Sequence, residues 1–248
     1  MQIDAIFFDV NGTLIDILTD EGIIDIYRKI RNFLSYQGIF IEKEELKDLY
    51  FQILKKQKAD SGIKFAEFDA VKIWKEIVEL KQTEHTKSLP QEFLKHLPLV
   101  MAHLFRGASM VRKLQLYEDV RETLDQLKGK YPLAIVSNAQ TYYAKAELRT
   151  VGLIDYFDPI IISGDYGYCK PDPRLFQQAL DKLKLNPQNV IHVGNDTGHD
   201  VFGCKQLGMK SVLFVSNQGR HRFSGADPDY VIKQFRELIP AIEFLKNR

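Results

Sequence analysis

Cysteine is scarce: the 248-residue chain has two, Cys169 and Cys204, far apart and outside any C-x-x-C spacing. That excludes a disulfide framework and a paired-cysteine metal or redox motif, and it suits a reducing compartment. No window approaches the roughly 18 consecutive apolar residues of a membrane span. The opening Met1-Gln2-Ile3-Asp4 is not a basic region followed by a long apolar stretch. A cytoplasmic chain with no membrane partner is the expectation. An excess of one charge is lacking too: 34 Lys and Arg against 33 Asp and Glu leave a formal +1. No sequence-wide field therefore recruits nucleic acid or an anionic membrane. The six His show no H-x-x-x-H zinc spacing, and there is no internal repeat or low-complexity tract. Small molecules remain as the expected partner, bound by a monomer or a homodimer.

What is present is ample apolar content, 45%, for one large or two modest domains. Residues 3 to 9 read as a buried strand. From about Thr19 to Met110 the periodicity is helical, with apolar stripes through Ile23, Ile26, Tyr27, Ile30 and Leu34, then Leu46, Tyr50 and Ile53. A third stripe runs through Phe68, Trp74 and Ile77, and a fourth through Phe93, Leu97, Val100, Met101, Leu104 and Phe105. Trp74, the only tryptophan, falls on a stripe and reads as core. After Tyr117, near-continuous apolar segments at 133–137, 159–163, 190–194 and 211–215 alternate with helical ones. Such strands are covered on both faces and pair in parallel. The fold class is α/β, a doubly wound parallel sheet with an all-helical insertion after its first strand.

In a parallel sheet the C-terminal strand tips line one edge, where open α/β sheets bind their ligands. Asp9 ends the first strand and opens the turn Asp9-Val10-Asn11-Gly12-Thr13. Ser137 and Asn138 follow the second strand, Lys170-Pro171-Asp172 lies beyond the third, and Gly194-Asn195-Asp196 with Asp200 follows the fourth. A carboxylate at such a tip serves as nucleophile or metal ligand, or merely caps a turn. Gly12, with Thr13 and Asn138, is a candidate to contact an anionic substrate, because bare backbone admits close approach. Oxygen ligands of this type select Mg²⁺. Asp172 reads as a turn residue, and His199 as the only histidine near this edge.

The order D-x-x-G-T, Ser-Asn, Lys-Pro-Asp-Pro and G-x-D with a second Asp resembles the haloacid dehalogenase superfamily, over the whole chain. The resemblance implies a Rossmann-like catalytic core over residues 1–16 and 114–248 with a helical cap over 17–113. It also implies a phosphatase-like hydrolase in which Asp9 forms an aspartyl-phosphate. Mg²⁺ would be held by Asp9, the carbonyl of Asn11 and a carboxylate of the fourth motif; Ser137 would bind the phosphoryl group and Lys170 would neutralise charge. Asp196 is taken as that third metal ligand with Asp200 supporting it, and Asn195, at the place usually held by Asp, as the alternative.

Asn11 departs from the family's phosphatases, which carry there an Asp that protonates the leaving oxygen. An amide does not shuttle a proton near neutral pH. The leading expectation is a slow, Mg²⁺-dependent hydrolase of a small phosphorylated metabolite, a phosphate ester. Two alternatives stand beside it: a 2-haloacid dehalogenase-like hydrolase attacking carbon, and a weakly active or non-enzymatic ligand-binding member of the fold. Asp196 and Asp200 favour a metal site over the dehalogenase.

Overall fold

Ala5, Ile6, Phe7 and Phe8 alternate between the two faces of a strand, and both faces are apolar, so this segment is stable only with helices on each side. In the computed structural model, which describes residues 2–247, this strand, β1 (Ala5–Phe8), lies inside a six-stranded parallel sheet. Its partners are β4 (Leu133–Ser137), β5 (Ile160–Ile162), β6 (Val190–Gly194), β7 (Lys210–Phe214) and β8 (Tyr230–Ile232), in the order β5-β4-β1-β6-β7-β8. Numbered by succession in the sheet, this is the 3-2-1-4-5-6 order of a doubly wound Rossmann-like fold. The order reverses at β1, whose Phe8 lies level with Ile135 on one side and Val193 on the other.

Ile6 and Phe8 pack with α6 (Val120–Leu127), α7 (Thr141–Thr150) and α10 (Leu238–Lys246). Ala5 and Phe7 face the opposite way, against α8 (Pro173–Leu183) and Cys204 of the short α9 (Phe202–Lys205). Each face thus buries its own apolar set, the main stabilising term of such a layer at roughly 25 cal/mol per Å². A two-stranded antiparallel ribbon, β2 (Ile15–Asp16) with β3 (Gln115–Leu116), was not anticipated from the sequence, since two residues a side carry no readable alternation.

The chain divides into two compact units, Met1–Ile17 with Lys113–Arg248, and Leu18–Arg112. The second consists of α1 (Ile24–Tyr36), α2 (Lys43–Asp60), α3 (Ala70–Lys81), α4 (Glu84–Lys87) and α5 (Gln91–Ala108). Its centre is aromatic. Phe105 of α5 meets the rings of Tyr27, Tyr50 and Trp74 at centroid distances of 5.5, 4.6 and 5.3 Å. Trp74 is fully buried, as its place on a stripe predicts. Val100 and Leu104, read as part of the fourth stripe, are instead exposed: α5 buries the narrower face Leu97, Pro98, Met101, Ala102 and Phe105. No helix among the described residues is long and apolar enough to cross a membrane.

Because Phe105 touches three other large rings, Phe105→Ala leaves a cavity that this cluster cannot close. Urea denaturation should show a loss of about 3–5 kcal/mol, with Phe105→Leu costing less than half of that. A loss below about 1 kcal/mol would show that the aromatic cluster is not the core of this unit.

Candidate active site at the strand tips

Asp9 leaves β1 with its N–H donated to the carbonyl of Val193, 2.9 Å away, which fixes the backbone where the carboxylate begins. The carboxylate is buried and its two oxygens differ. Oδ1 accepts Ser137 Oγ at 2.9 Å and Lys170 Nζ at 2.6 Å. Among the described residues Oδ2 meets only Thr13 Oγ1, at 3.2 Å, and that hydroxyl is also 3.3 Å from Asn195 Oδ1. With one proton to give, Thr13 serves one of these oxygens at a time.

Lys170 is almost wholly buried, and all three of its ammonium protons are placed: Asp9 Oδ1 and Asp200 Oδ1 at 2.6 Å each, and the Val136 carbonyl at 2.9 Å. Burial works against the cation, yet the two carboxylates outweigh it and raise its pKa. Asn138, expected to touch substrate, clamps the Lys170 backbone: its Oδ1 accepts Lys170 N–H at 2.7 Å and its Nδ2 donates to Lys170 O at 3.1 Å. Asn138 also lines the cavity above Asp9.

Asp200 is buried as well, with Oδ2 accepting the Asp196 amide at 3.0 Å and Oδ1 shared between Lys170 and His192 Nε2, the latter at 3.1 Å. Burial pushes its carboxyl up, but the Lys170 charge and the His192 bond prevail and hold it well below the usual carboxylate range. Asp200 is therefore ionised, and His192 carries its proton on Nε2. Burial pushes the imidazole pKa down, against the pull of Asp200, so the ring is neutral. Sequence reasoning passed over His192; the signal was a polar residue inside the apolar strand Val190-Ile-His-Val-Gly194.

Asp196 was taken as the metal ligand, but its carboxylate is engaged elsewhere. Oδ1 accepts the Gly198 and His199 amides at 2.8 Å each, capping the π-helical turn Thr197–Val201, and Oδ2 accepts the Arg220 amide at 3.0 Å. The side chain of this turn that meets the Asp9 loop is Asn195, and the bare backbone of Gly12, at φ +85°, is what admits it. A Cβ there would collide with the Asn195 amide. Gly194 is bare for a parallel reason, since a Cβ would strike the Asp200 carboxylate.

These groups border a cavity of about 230 Å³ lined by Asp9, Asn11, Lys170, Asn195, His199 and Gln218, among others. Gln218 and Gly219, from the loop after β7, had no sequence signal. Asn11 Oδ1 is buried and meets no protein donor. The donor atoms on offer here are oxygens: the Asp9 carboxylate, Asn11 and Asn195. Among the described residues no group of three His, Cys, Asp or Glu side chains makes a self-sufficient metal cage. A hard cation that needs one or two carboxylates, and draws the rest of its shell from substrate phosphate and water, fits this set; a tightly caged ion does not.

Comparison with known proteins agrees with this architecture. Residues 3–208 match the family model of the haloacid dehalogenase-like hydrolases. The chain is 27% identical over 246 residues to pyrophosphatase PpaX of Bacillus mycoides, covering 98% of each. It is also 27% identical over 234 residues to a glyceraldehyde 3-phosphate phosphatase of Methanothermobacter thermautotrophicus, covering 94% of this chain and 92% of that one. Among solved structures, a 2-haloacid dehalogenase from Pseudomonas syringae aligns with a TM-score of 0.67 at 21% identity, covering 98% and 99% of the two chains. A phosphatase of this family from Thermococcus onnurineus aligns at 0.59 with 24% identity, covering 97% and 98%. With a doubly wound sheet, four motifs in order at its strand tips and a family match over most of its length, the chain belongs to the haloacid dehalogenase-like hydrolases.

Proposed function

We propose that this hydrolase is a Mg²⁺-dependent phosphatase of a small phosphorylated metabolite, working through an aspartyl-phosphate on Asp9. The observation that carries the reading is the way Asp9 is held: one oxygen fixed by Ser137 and Lys170, with Lys170 itself anchored by Asp200. A nucleophile fixed beside a hydroxyl donor and a buried cation suits phosphoryl transfer, which depends mostly on positioning and on stabilising charge on the transferring group. The phosphatase names of the relatives lean the same way.

In this reading Asp9 attacks phosphorus. Ser137 and Lys170, already at its carboxylate, exchange part of their bonding to the phosphoryl oxygens as charge moves there, and Asp200 keeps Lys170 in place when Asp9 loses its charge on esterification. Asp9, the Asn11 carbonyl and Asn195 would hold Mg²⁺, Asn195 replacing the earlier choice of Asp196 because the Asp196 carboxylate is occupied by three amides. The ion, when bound, supplies neutralisation of phosphate charge. The dehalogenase reading lacks a comparable observation: the solved dehalogenase from Pseudomonas syringae, at 21% identity, shares the fold only.

Asp9→Asn removes the nucleophile while keeping shape and hydrogen-bonding capacity, so the protein should fold and release no phosphate from p-nitrophenyl phosphate. Wild-type rates in that variant would end covalent catalysis at Asp9. Chelation by EDTA should abolish turnover and Mg²⁺ restore it. Asn195→Asp, which adds a carboxylate to a charge-poor donor set, should lower the Mg²⁺ concentration for half-maximal rate by roughly tenfold; an unchanged or higher value would remove Asn195 from the metal site. Asn11→Asp supplies the missing acid and base and should raise kcat on p-nitrophenyl phosphate by about ten- to a thousandfold. A flat or reduced rate in the folded, Mg²⁺-loaded variant would mean that Asn11 serves different chemistry.

A further inference from the structure

The cavity above Asp9 is short of exchangeable protons. Asn11 stands two residues after the nucleophile and its Oδ1, buried without a protein donor, is an amide oxygen with no acidic proton behind it. Lys170 has all three N–H bonds committed to Asp9, Asp200 and the Val136 carbonyl. Asp200 accepts from Lys170, His192 and the Asp196 amide, and Asp196 from three amides. Both therefore act as acceptors. His199 lines the cavity, but its ring is about half exposed, with Nδ1 turned to Asp196 Oδ1 at 3.6 Å.

From this arrangement we infer the substrate class: phosphoryl donors whose leaving oxygen departs as a stable anion, namely phosphoanhydrides and acyl phosphates, in preference to phosphate esters of alcohols. The inference rests on the phosphatase reading above. In the first step an Asp9 oxygen forms a bond to phosphorus, the bond from phosphorus to the leaving oxygen breaks, and its electron pair stays on that oxygen with no proton transferred. A carboxylate leaving group has a conjugate acid of pKa about 4 and a phosphate one of about 6. An alkoxide comes from an alcohol nearly as weak an acid as water, far weaker than either of these. Without a positioned acid, typically worth 10²–10⁴-fold, the last of these is the one excluded. In the second step water adds its oxygen to phosphorus, the electron pair of the Asp9–phosphorus bond returns to the carboxylate, and the released proton passes to solvent. Asn11 offers no base beside the attacking water, so this step is slow and the phosphorylated enzyme accumulates.

The test uses the Mg²⁺-loaded full chain with pyrophosphate, acetyl phosphate, an alkyl phosphate and a series of aryl phosphates of graded phenol acidity. The expected result is cleavage of pyrophosphate or acetyl phosphate, the two arms separating anhydride from acyl substrates. Across the aryl series kcat/KM should fall by about three- to tenfold per unit of leaving-group pKa. Rapid mixing should give a burst of phenolate approaching one per enzyme, with phosphorylated Asp9 found by mass spectrometry after acid quench. In Asn11→Asp the slope should flatten and the burst vanish. A shallow wild-type slope overturns the assignment, and if that slope steepens in His199→Gln, His199 is the proton donor. Failure to cleave either activated donor also overturns it. Failure of the covalent reading looks different: steep leaving-group dependence that survives in Asp9→Asn.

Discussion

The buried ammonium of Lys170 is the constraint on which the rest of the strand-tip edge depends. It sits 2.6 Å from each of two carboxylates that would otherwise repel one another inside the protein, Asp9 and Asp200. Losing one partner of a buried charge set costs about 3–5 kcal/mol, because the charges left behind stay out of water unpaired. The three groups come from three segments of the chain, so this requirement also fixes how the tips of β1 and β6 and the connection after β5 meet. Asn138 grips the Lys170 backbone from the tip of β4, and His192 reaches Asp200 from inside β6. The site is thus built from the sheet outward, with each charged side chain anchored by one that lies deeper.

That demand decides which residues remain available to a ligand. Asp200 is spent on Lys170 and His192, and Asp196 on the amides of the π-helical turn and of Arg220, so neither carboxylate is free. Among the oxygens that border the cavity without being spent in this way are the outer oxygen of Asp9 and the amide oxygen of Asn11. Such a set binds a divalent cation weakly by itself and more firmly once a phosphate supplies further oxygens. Under the proposed function, metal and substrate would bind cooperatively, each completing what the other lacks.

In the proposed phosphatase reading, Asn11 separates two tasks. Holding a phosphoryl group and balancing its charge needs fixed donors and cations, and Ser137, Lys170 and the Asp9 loop supply them without moving a proton. Protonating a leaving group needs a titratable side chain at the correct place, and Asn11 is not one. The chemistry proposed for such a site is transfer from donors that need no protonation.

The sequence by itself determined the sheet and which polar residues follow its strands. The largely apolar runs 133–137 and 190–194 coincide with β4 and β6 residue for residue, because a strand covered on both faces is predominantly apolar. Asp9 and Ser137 were readable for the same reason, each polar at or next to such an end, whereas Lys170 and Asp200 lie farther along the connections after β5 and β6 and were read from the order of the motifs. Tertiary structure alone decided the division of labour among them. Asn195 and Asp196 are neighbours in one turn, and no pattern says which side chain faces Gly12 and which caps the turn that follows. That choice depends on where the amides of Gly198, His199 and Arg220 point once the loop after β7 has packed against them. His192 was hidden likewise, since a histidine inside a strand becomes part of the site only when the fold brings Asp200 within reach of its Nε2. Periodicity records which residues are buried, whereas the partner of a buried polar group comes from elsewhere in the chain and leaves no mark on local spacing.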